Sequence, residues 1–222
     1  MRYFRVAASV CLCIWGITTV GVCAKKDAVQ CANLIYGGTH TSRCFSDEFL
    51  REANLETSVR TERRFKSVKL ASETLFNFPF VMMTGEDNFR LTPRERKNLK
   101  RYLLNDGFLL ASAGCSSEDF DRSFRREMKS IFGSGALKQI PMDHSLFHTV
   151  KDIKNLRLDD RKNTGEPVRL QGIEKNGKLI AVYSPHGLND TAHTEGCCCC
   201  GGNEIDNSLE VNVNILVYAL LH

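Results

Sequence analysis

The sequence predicts an α/β domain built as a three-layer sandwich, with a mostly parallel sheet that ends in an antiparallel hairpin. Two observations carry this prediction. Residues 80–111 contain an apolar run, an amphipathic helical stretch and a second apolar run, which together make a βαβ unit with parallel strands. Further on, Asn176-Gly177 separates two β-rich runs and is a strong signal for a hairpin.

The βαβ unit has clear local boundaries. Residues 80–83 and 108–111 are short and apolar, as strands buried on both faces are. Between them, Thr92 and Glu95 have the spacing of a capping box, and Pro93 suits the first helical position. Together with residues 31–36, we expect these strands to be adjacent and parallel at the centre of the sheet.

The remaining elements follow from periodicity and turn residues. We predict helices at residues 46–55, 117–133 and 204–221, strands at 64–70 and 137–140, hairpin strands at 168–174 and 178–183, and loops at 37–44 and 184–202. The pattern contains no internal repeat and no second domain. It is typical of a flavodoxin-like sandwich.

The N-terminal stretch predicts export. Basic residues precede an uncharged apolar segment at residues 6–22, and small residues surround Ala24 before the chain turns polar at Lys25. We therefore expect a signal peptide at residues 1–24, a mature domain at 25–222 and a periplasmic or extracellular location. An uncleaved membrane anchor is the alternative, and it would be the only contact with a membrane.

Charge argues against nucleic acid as a partner. The net charge is +4 over 222 residues, and basic and acidic residues are interspersed. The densest basic run, residues 60–69, is interrupted by Thr61, Glu62 and Phe65 and lacks the interleaved aromatics of a nucleic-acid groove. We expect a small polar ligand or a protein partner instead.

The carboxyl ends of the central strands define the predicted site. Ligands of open parallel sheets bind outside these ends. Thr84, Gly85 and Glu86 follow the first strand of the βαβ unit, and Cys115 and Ser116 follow the second. Thr84, Gly85, Glu86 and Ser116 are therefore the predicted ligand-binding residues, while Cys115 lies at a strand-to-helix turn, where a nucleophile elbow would place its nucleophile.

The cysteines form a second feature of the same edge. In an exported chain they predict disulfides, and zinc is the alternative, although four adjacent side chains cannot easily share one tetrahedral ion. No cofactor is implied otherwise. We expect the cysteines of the carboxyl-edge loops to converge as a disulfide or metal cluster: Cys44, Cys115, Cys197, Cys198, Cys199 and Cys200.

Several segments together resemble a bacterial family, the domain of unknown function 4159. They are residues 34–38, 84–85, 89–92, 101–104, 107–110, 120–126, 211–214 and 218–220. The cysteine run with residues 201–204 resembles a planctomycete-type exported subgroup. The resemblance implies a class I glutamine amidotransferase-like fold, distantly similar to trehalose-utilisation proteins, and brings no established activity.

Three functions stay open at this point. The first is a ligand- or partner-binding module with a cysteine-rich crevice. The second is a thiol-dependent hydrolase or amidase that uses Cys115 with His186, although Leu188 stands where amidotransferases carry an acid and the flanking glycines of their elbow are absent. The third is a metal or redox protein built on the cysteine run. Whether the chain is an enzyme is left open.

Overall fold

A mixed eight-stranded sheet with helices on both faces forms the core of the molecule. The computed structural model of the chain describes residues 28–41, 45–158, 167–189 and 204–222. The strands are β1 (Ala32–Tyr36), β2 (His40–Thr41), β3 (Lys66–Lys69), β4 (Phe80–Gly85), β5 (Phe108–Ala113), β6 (Lys138–Gln139), β7 (Gln171–Lys175) and β8 (Lys178–Ser184). The helices are α1 (Glu48–Glu56), α2 (Pro93–Leu104), α3 (Glu118–Phe132) and α4 (Ser208–Leu221).

The central strands are parallel, as the sequence predicts. Strand β1 pairs in parallel with β3 and β4, β4 pairs with β5, and β5 pairs with β8. Strands β7 and β8 form the predicted hairpin, and the turn residues Asn176 and Gly177 have φ values of 54° and 77°. Both residues of a two-residue hairpin turn need positive φ to match the twist of the strands, and Asn-Gly meets that need.

Alternating side chains of the buried strands divide the core between two faces. Phe80, Met82 and Leu110 pack on the face covered by α1 and α4, whereas Val81 and Leu109 pack on the face covered by α2 and α3. This alternation follows from the two-residue period of a strand. Because both faces are covered, the strands read as continuous apolar runs in the sequence.

Connections that leave β1 and β4 run to opposite faces of the sheet. The chain passes from β1 through α1 to β3 on one side, and from β4 through α2 to β5 on the other. Strands β1 and β4 are paired only at Ala32–Val81 and Asn33–Met82. Since Ile35 pairs with Lys69 of β3 and with Thr41 of β2, β2 lies on the β4 side of β1. The carboxyl ends of β1 and β4 therefore separate.

The structure corrects three predicted boundaries. Strand β2 lies within the predicted loop at residues 37–44. The predicted strand at residues 64–70 is shortened to Lys66–Lys69. The last helix starts at Ser208 rather than at residue 204, because Ile205 forms an isolated antiparallel bridge with Leu158 and its backbone is committed to that pairing.

Other predictions fall outside the described residues. They concern the leader at residues 1–24, the cleavage position at Ala24, Cys44, and the run from Cys197 to Cys200. Among the helices of the described residues, none is long and apolar enough to cross a bilayer.

Candidate functional site

A cleft of about 470 Å³ opens where β1 and β4 separate. It is lined by residues from the ends of β1, β4 and β5, from β2 and from the segment after β8: Tyr36, Thr39, His40, Thr41, Thr84, Gly85, Glu86, Asp87, Gly114 and Asn189. The predicted ligand-binding residues Thr84, Gly85 and Glu86 thus lie on its wall. Tyr36, His40 and Asn189 were not singled out by the sequence, because no local motif marks them.

Tyr36 forms one wall of the cleft and is held by its neighbours. Its hydroxyl donates a hydrogen bond to the backbone carbonyl of Thr84 at 2.9 Å, and its ring stacks on His40 with centroids 5.8 Å apart. A Cβ at Gly85 would lie 2.5 Å from the Tyr36 hydroxyl oxygen, so this contact needs the glycine. Burial raises the pKa of Tyr36, and the nearby carboxylate of Asp87 raises it further.

Asn189 fixes the opposite side of the cleft. Its side-chain oxygen accepts from the hydroxyls of Thr84 and Ser112, each at 3.4 Å, and its backbone carbonyl accepts from the backbone N–H of Ser46. The same segment is anchored at Leu188, whose N–H donates to Ser112 and whose carbonyl accepts from buried Asn212 of α4. The segment after β8 is therefore tied to both β5 and α4.

The turn from β5 to α3 borders the cleft. Gly114–Ser116 forms a single 3₁₀ turn, in which Cys115 has φ 52° and ψ 30° and Ser116 has φ 51°. Two consecutive non-glycine residues in the left-handed region are strained and persist only where neighbouring groups hold them. Ser117 then caps α3 by accepting from the N–H of Phe120.

A buried carboxylate holds this turn in place. Glu204 is 3% exposed, and its Oε2 accepts from the backbone N–H groups of Ser116 at 2.7 Å and Gly187 at 2.5 Å. Its Oε1 accepts from the Ser116 hydroxyl at 2.7 Å. A charged carboxylate can be buried when several donors replace its water shell, and here three donors from two loops do so.

His186 lies beside Ser116 in the structure. Its Nδ1 is 3.1 Å from the Ser116 Oγ. The predicted partner of His186 was Cys115, whose sulfur lies 3.5 Å from Oε1 of Glu86 on the cleft wall. Cys115, His186 and Glu204 each have at least one further interaction beyond these contacts. The sequence does not predict the contact between Ser116 and Glu204, because its pattern places Glu204 at the start of the final helix.

Three further cysteine and histidine side chains have ordinary surroundings. Cys31 is a fully buried free thiol at the start of β1, and burial raises its pKa to about 12. His148 pairs with Asp152, and His144 accepts from the N–H of Leu146. Within the residues that the structure describes, no group of three or more His, Cys, Asp or Glu side chains could hold a metal ion. Most cysteines of the predicted cluster lie outside those residues.

Comparison with known proteins now gives the family. The model of the family described as Domain of unknown function (DUF4159) matches residues 30–220, which is most of the chain. The chain therefore belongs to this family. No curated protein matches it.

Proposed function

We propose that this DUF4159 domain binds a small, polar, uncharged or cationic ligand in the cleft between the carboxyl ends of β1 and β4. One observation carries the proposal. The cleft lies where the connections of two adjacent parallel strands leave to opposite faces of the sheet. This switch point is where open α/β sheets bind their ligands, since two connections that leave in opposite directions open a crevice between the strand ends.

The chemistry of the lining selects the ligand class. Glu86 and Asp87 add carboxylates to the wall, while Thr84 and Asn189 add neutral hydrogen-bonding groups. Among the described residues, the lining contains no lysine or arginine. A free carboxylate or phosphate would meet like charge here, whereas hydroxyls and ammonium groups can donate to the acids. The stacked rings of Tyr36 and His40 offer a flat surface for a sugar ring or a cation.

The size of the cleft agrees with a small molecule. Its volume of about 470 Å³ lies within the usual range for such sites, roughly 300–1,000 Å³. A partner protein would need a larger surface than this cleft alone provides. We therefore place small-molecule binding before partner binding.

A thermal-shift and calorimetry panel tests the proposal. The panel contains neutral sugars, arginine and polyamines as cations, and matched carboxylic acids. We expect binding within the first two classes only. Glu86→Gln should weaken binding of a cationic ligand about tenfold, which corresponds to roughly 1.4 kcal/mol.

Glu118→Gln is the matched control, because Glu118 is an exposed acid on α3 paired with Arg122 and lies outside the cleft. Its affinity should equal that of the wild type. Equal effects of Glu86→Gln and Glu118→Gln, or binding by the carboxylic acids alone, would contradict the proposal.

We further propose that Cys115 is held in a disulfide bond and is not a free nucleophile. Support comes from the interaction that Cys115 makes beyond its contact with Glu86. His186 in turn contacts the hydroxyl of Ser116 at 3.1 Å. Peptide mapping without reduction tests this: recovery of Cys115 as a free thiol would restore the thiol-hydrolase alternative.

The finer fold assignment and export are proposals of the same kind. Helices on both faces of a mostly parallel sheet support a flavodoxin-like, amidotransferase-like sandwich. The basic, apolar and small-residue order of residues 1–24 supports secretion with cleavage before Lys25. N-terminal sequencing of protein recovered outside the cytoplasm tests the cleavage. A chain that still begins at Met1 would contradict it.

A further inference from the structure

We propose that Ser116 is the nucleophile of an acyl-transfer site, with Glu204 as its general base and a neutral or cationic carboxylic ester or amide as substrate. The geometry that points to this is the contact of one hydroxyl with both a buried carboxylate and an imidazole. Ser116 Oγ lies 2.7 Å from Oε1 of Glu204 and 3.1 Å from Nδ1 of His186. Both distances are within the reach of a base that activates a nucleophile.

The single proton of the Ser116 hydroxyl decides the roles. It can be donated to only one acceptor, and the carboxylate of Glu204 is the nearer of the two. Nδ1 of His186 then carries the hydrogen and donates to the Ser116 oxygen. Glu204 is thus placed to take the proton when Ser116 attacks, and His186 orients the lone pairs of the oxygen.

Ser116 lies at a turn from a strand to a helix, which is a common position for a nucleophile. Ser116 follows a buried parallel strand, has a positive φ of 51° and stands two residues before the first turn of α3. The N-terminus of a 15-residue helix favours negative charge that develops nearby. Glu204 also binds the backbone N–H of Ser116, so the same carboxylate fixes the strained turn and contacts the hydroxyl.

The adjoining cleft would hold the substrate, and to this extent the inference rests on the proposed function. Gly114 and Asn189 line the cleft, and they stand two residues from Ser116 and Gly187 respectively. The carboxylates of Glu86 and Asp87 disfavour an acidic substrate, which leaves neutral or cationic acyl compounds. The N–H of Gly187 donates to Glu204, so the carboxylate that contacts the nucleophile also holds the segment that lines the cleft.

The reaction is balanced with water as the co-reactant. Ser116 Oγ forms a bond to the carbonyl carbon, and its proton passes to Glu204. The bond from carbon to the alcohol oxygen or amine nitrogen breaks, and the leaving group takes that proton. Water then attacks the acyl-serine and gives its proton to Glu204. The carboxylic acid product leaves as Ser116 regains the proton.

A fluorophosphonate probe tests the inference on the full-length protein, because the serine oxygen displaces fluoride and keeps the phosphonyl group. We expect one adduct, mapped to Ser116 by mass spectrometry. Ser116→Ala should abolish it, and Glu204→Gln should slow it at least tenfold. Ser134→Ala, an exposed serine in the turn after α3, should label as the wild type does. Para-nitrophenyl esters and anilides then distinguish esters from amides as substrates.

Three results would overturn the inference: no adduct on folded protein, an adduct at another residue, or undiminished labelling of Ser116→Ala. Circular dichroism establishes that each variant is folded. Ser116→Ala keeps the cleft, so its reversible ligand binding should remain. A wild-type protein that binds a ligand in the cleft but forms no adduct would therefore mean that this site fails while the proposed binding function stands.

Discussion

Two buried glutamates are held in different ways, one by a cation and the other by neutral donors. Glu127 of α3 is fully buried and accepts from the guanidinium of Arg96 on α2 at 2.7 Å. Glu204 accepts from two backbone N–H groups and the Ser116 hydroxyl. An ion pair between helices neutralises charge and fixes packing, whereas a carboxylate bound to a hydroxyl keeps its capacity to accept a proton.

The two carboxylates lie in different parts of the molecule, one between helices and the other beside the cleft. The pair of Arg96 and Glu127 joins α2 to α3 on one face of the sheet, away from the cleft. Glu204 joins the turn after β5 to the segment after β8 at the edge where the cleft opens. The predictions below test whether the first carboxylate serves stability alone and whether the second serves the site as well.

The largest effect on stability should come from Arg96→Ala. It leaves the carboxylate of Glu127 buried with only the weaker contact to Arg126 at 3.6 Å. We expect the free energy of unfolding to fall by about 3 kcal/mol, measured by chemical denaturation. Arg122→Ala, which removes an exposed pair on α3, should change it by less than about 0.5 kcal/mol. Equal losses of unfolding free energy in the two variants would mean that the burial of Glu127 does not determine the cost of removing its partner.

Glu204→Gln should have the next largest effect. The amide keeps the shape of the side chain but carries no charge, so the charge-assisted hydrogen bonds from Ser116 and Gly187 weaken, and its NH₂ group donates where the carboxylate accepts. We expect a loss of about 2 kcal/mol in the free energy of unfolding. Glu210→Gln, at an exposed position in the first turn of α4, is the control and should be close to neutral. A stable Glu204→Gln variant would show that the carboxylate charge is not required.

Gly187→Ala tests the same carboxylate through the residue that donates to it. A Cβ at Gly187 would lie 2.4 Å from Oε2 of Glu204, so the carboxylate must move. We expect a loss of about 1 kcal/mol in the free energy of unfolding. In a Glu204→Ala background the substitution should be nearly neutral, because the clashing atom is gone. An additive double variant, measured in the same denaturation experiment, would contradict this coupling.

Near neutral pH, the smallest effect on stability comes from the thiol of Cys31, at the amino end of β1. Burial raises its pKa from 9.0 to about 12, so the folded chain keeps the thiol proton that the unfolded chain loses. The free energy of unfolding therefore falls as the pH rises from about 9 to about 12, because the unfolded chain releases the proton of Cys31 first. Below pH 9 the thiol is protonated in both states and has no such effect. At pH 8 this thiol is therefore protonated in the folded state.

Alkylation measures this directly. Iodoacetamide at about pH 8 should modify Cys31 slowly in the native protein and rapidly in guanidinium chloride, because the thiolate is the reactive form. Peptide mass mapping follows the single site. Native modification at the unfolded rate would mean that the amino end of β1 opens readily.

Local signals were enough to predict much of the fold. The capping box of Thr92 and Glu95 is present on α2, and the turn at Asn176-Gly177 joins β7 to β8. Each depends on residues within a few positions of one another. Strand β2 was missed because two residues are too few for any periodic pattern, and its place depends on pairing with β1.

The site was only partly predictable, because its contacts are distant in sequence. The carboxyl-edge rule pointed to Thr84–Glu86 and to the turn at Cys115 and Ser116. It could not say that Ser116 would contact His186. Nor could it place Glu204, which is 88 positions from Ser116 and follows a predicted loop. Such pairings depend on the path of the chain between strands and leave no pattern in the sequence.

The burial of α4 has a consequence for how the fold closes. The helix supplies Val211, Val213, Ile215, Leu216 and Val217 to the same core face as α1. Because α1 and α4 are far apart in the sequence, the apolar side chains beside α1 stay open to solvent until α4 has been made and has docked. An incomplete chain therefore exposes apolar surface that a chaperone can bind.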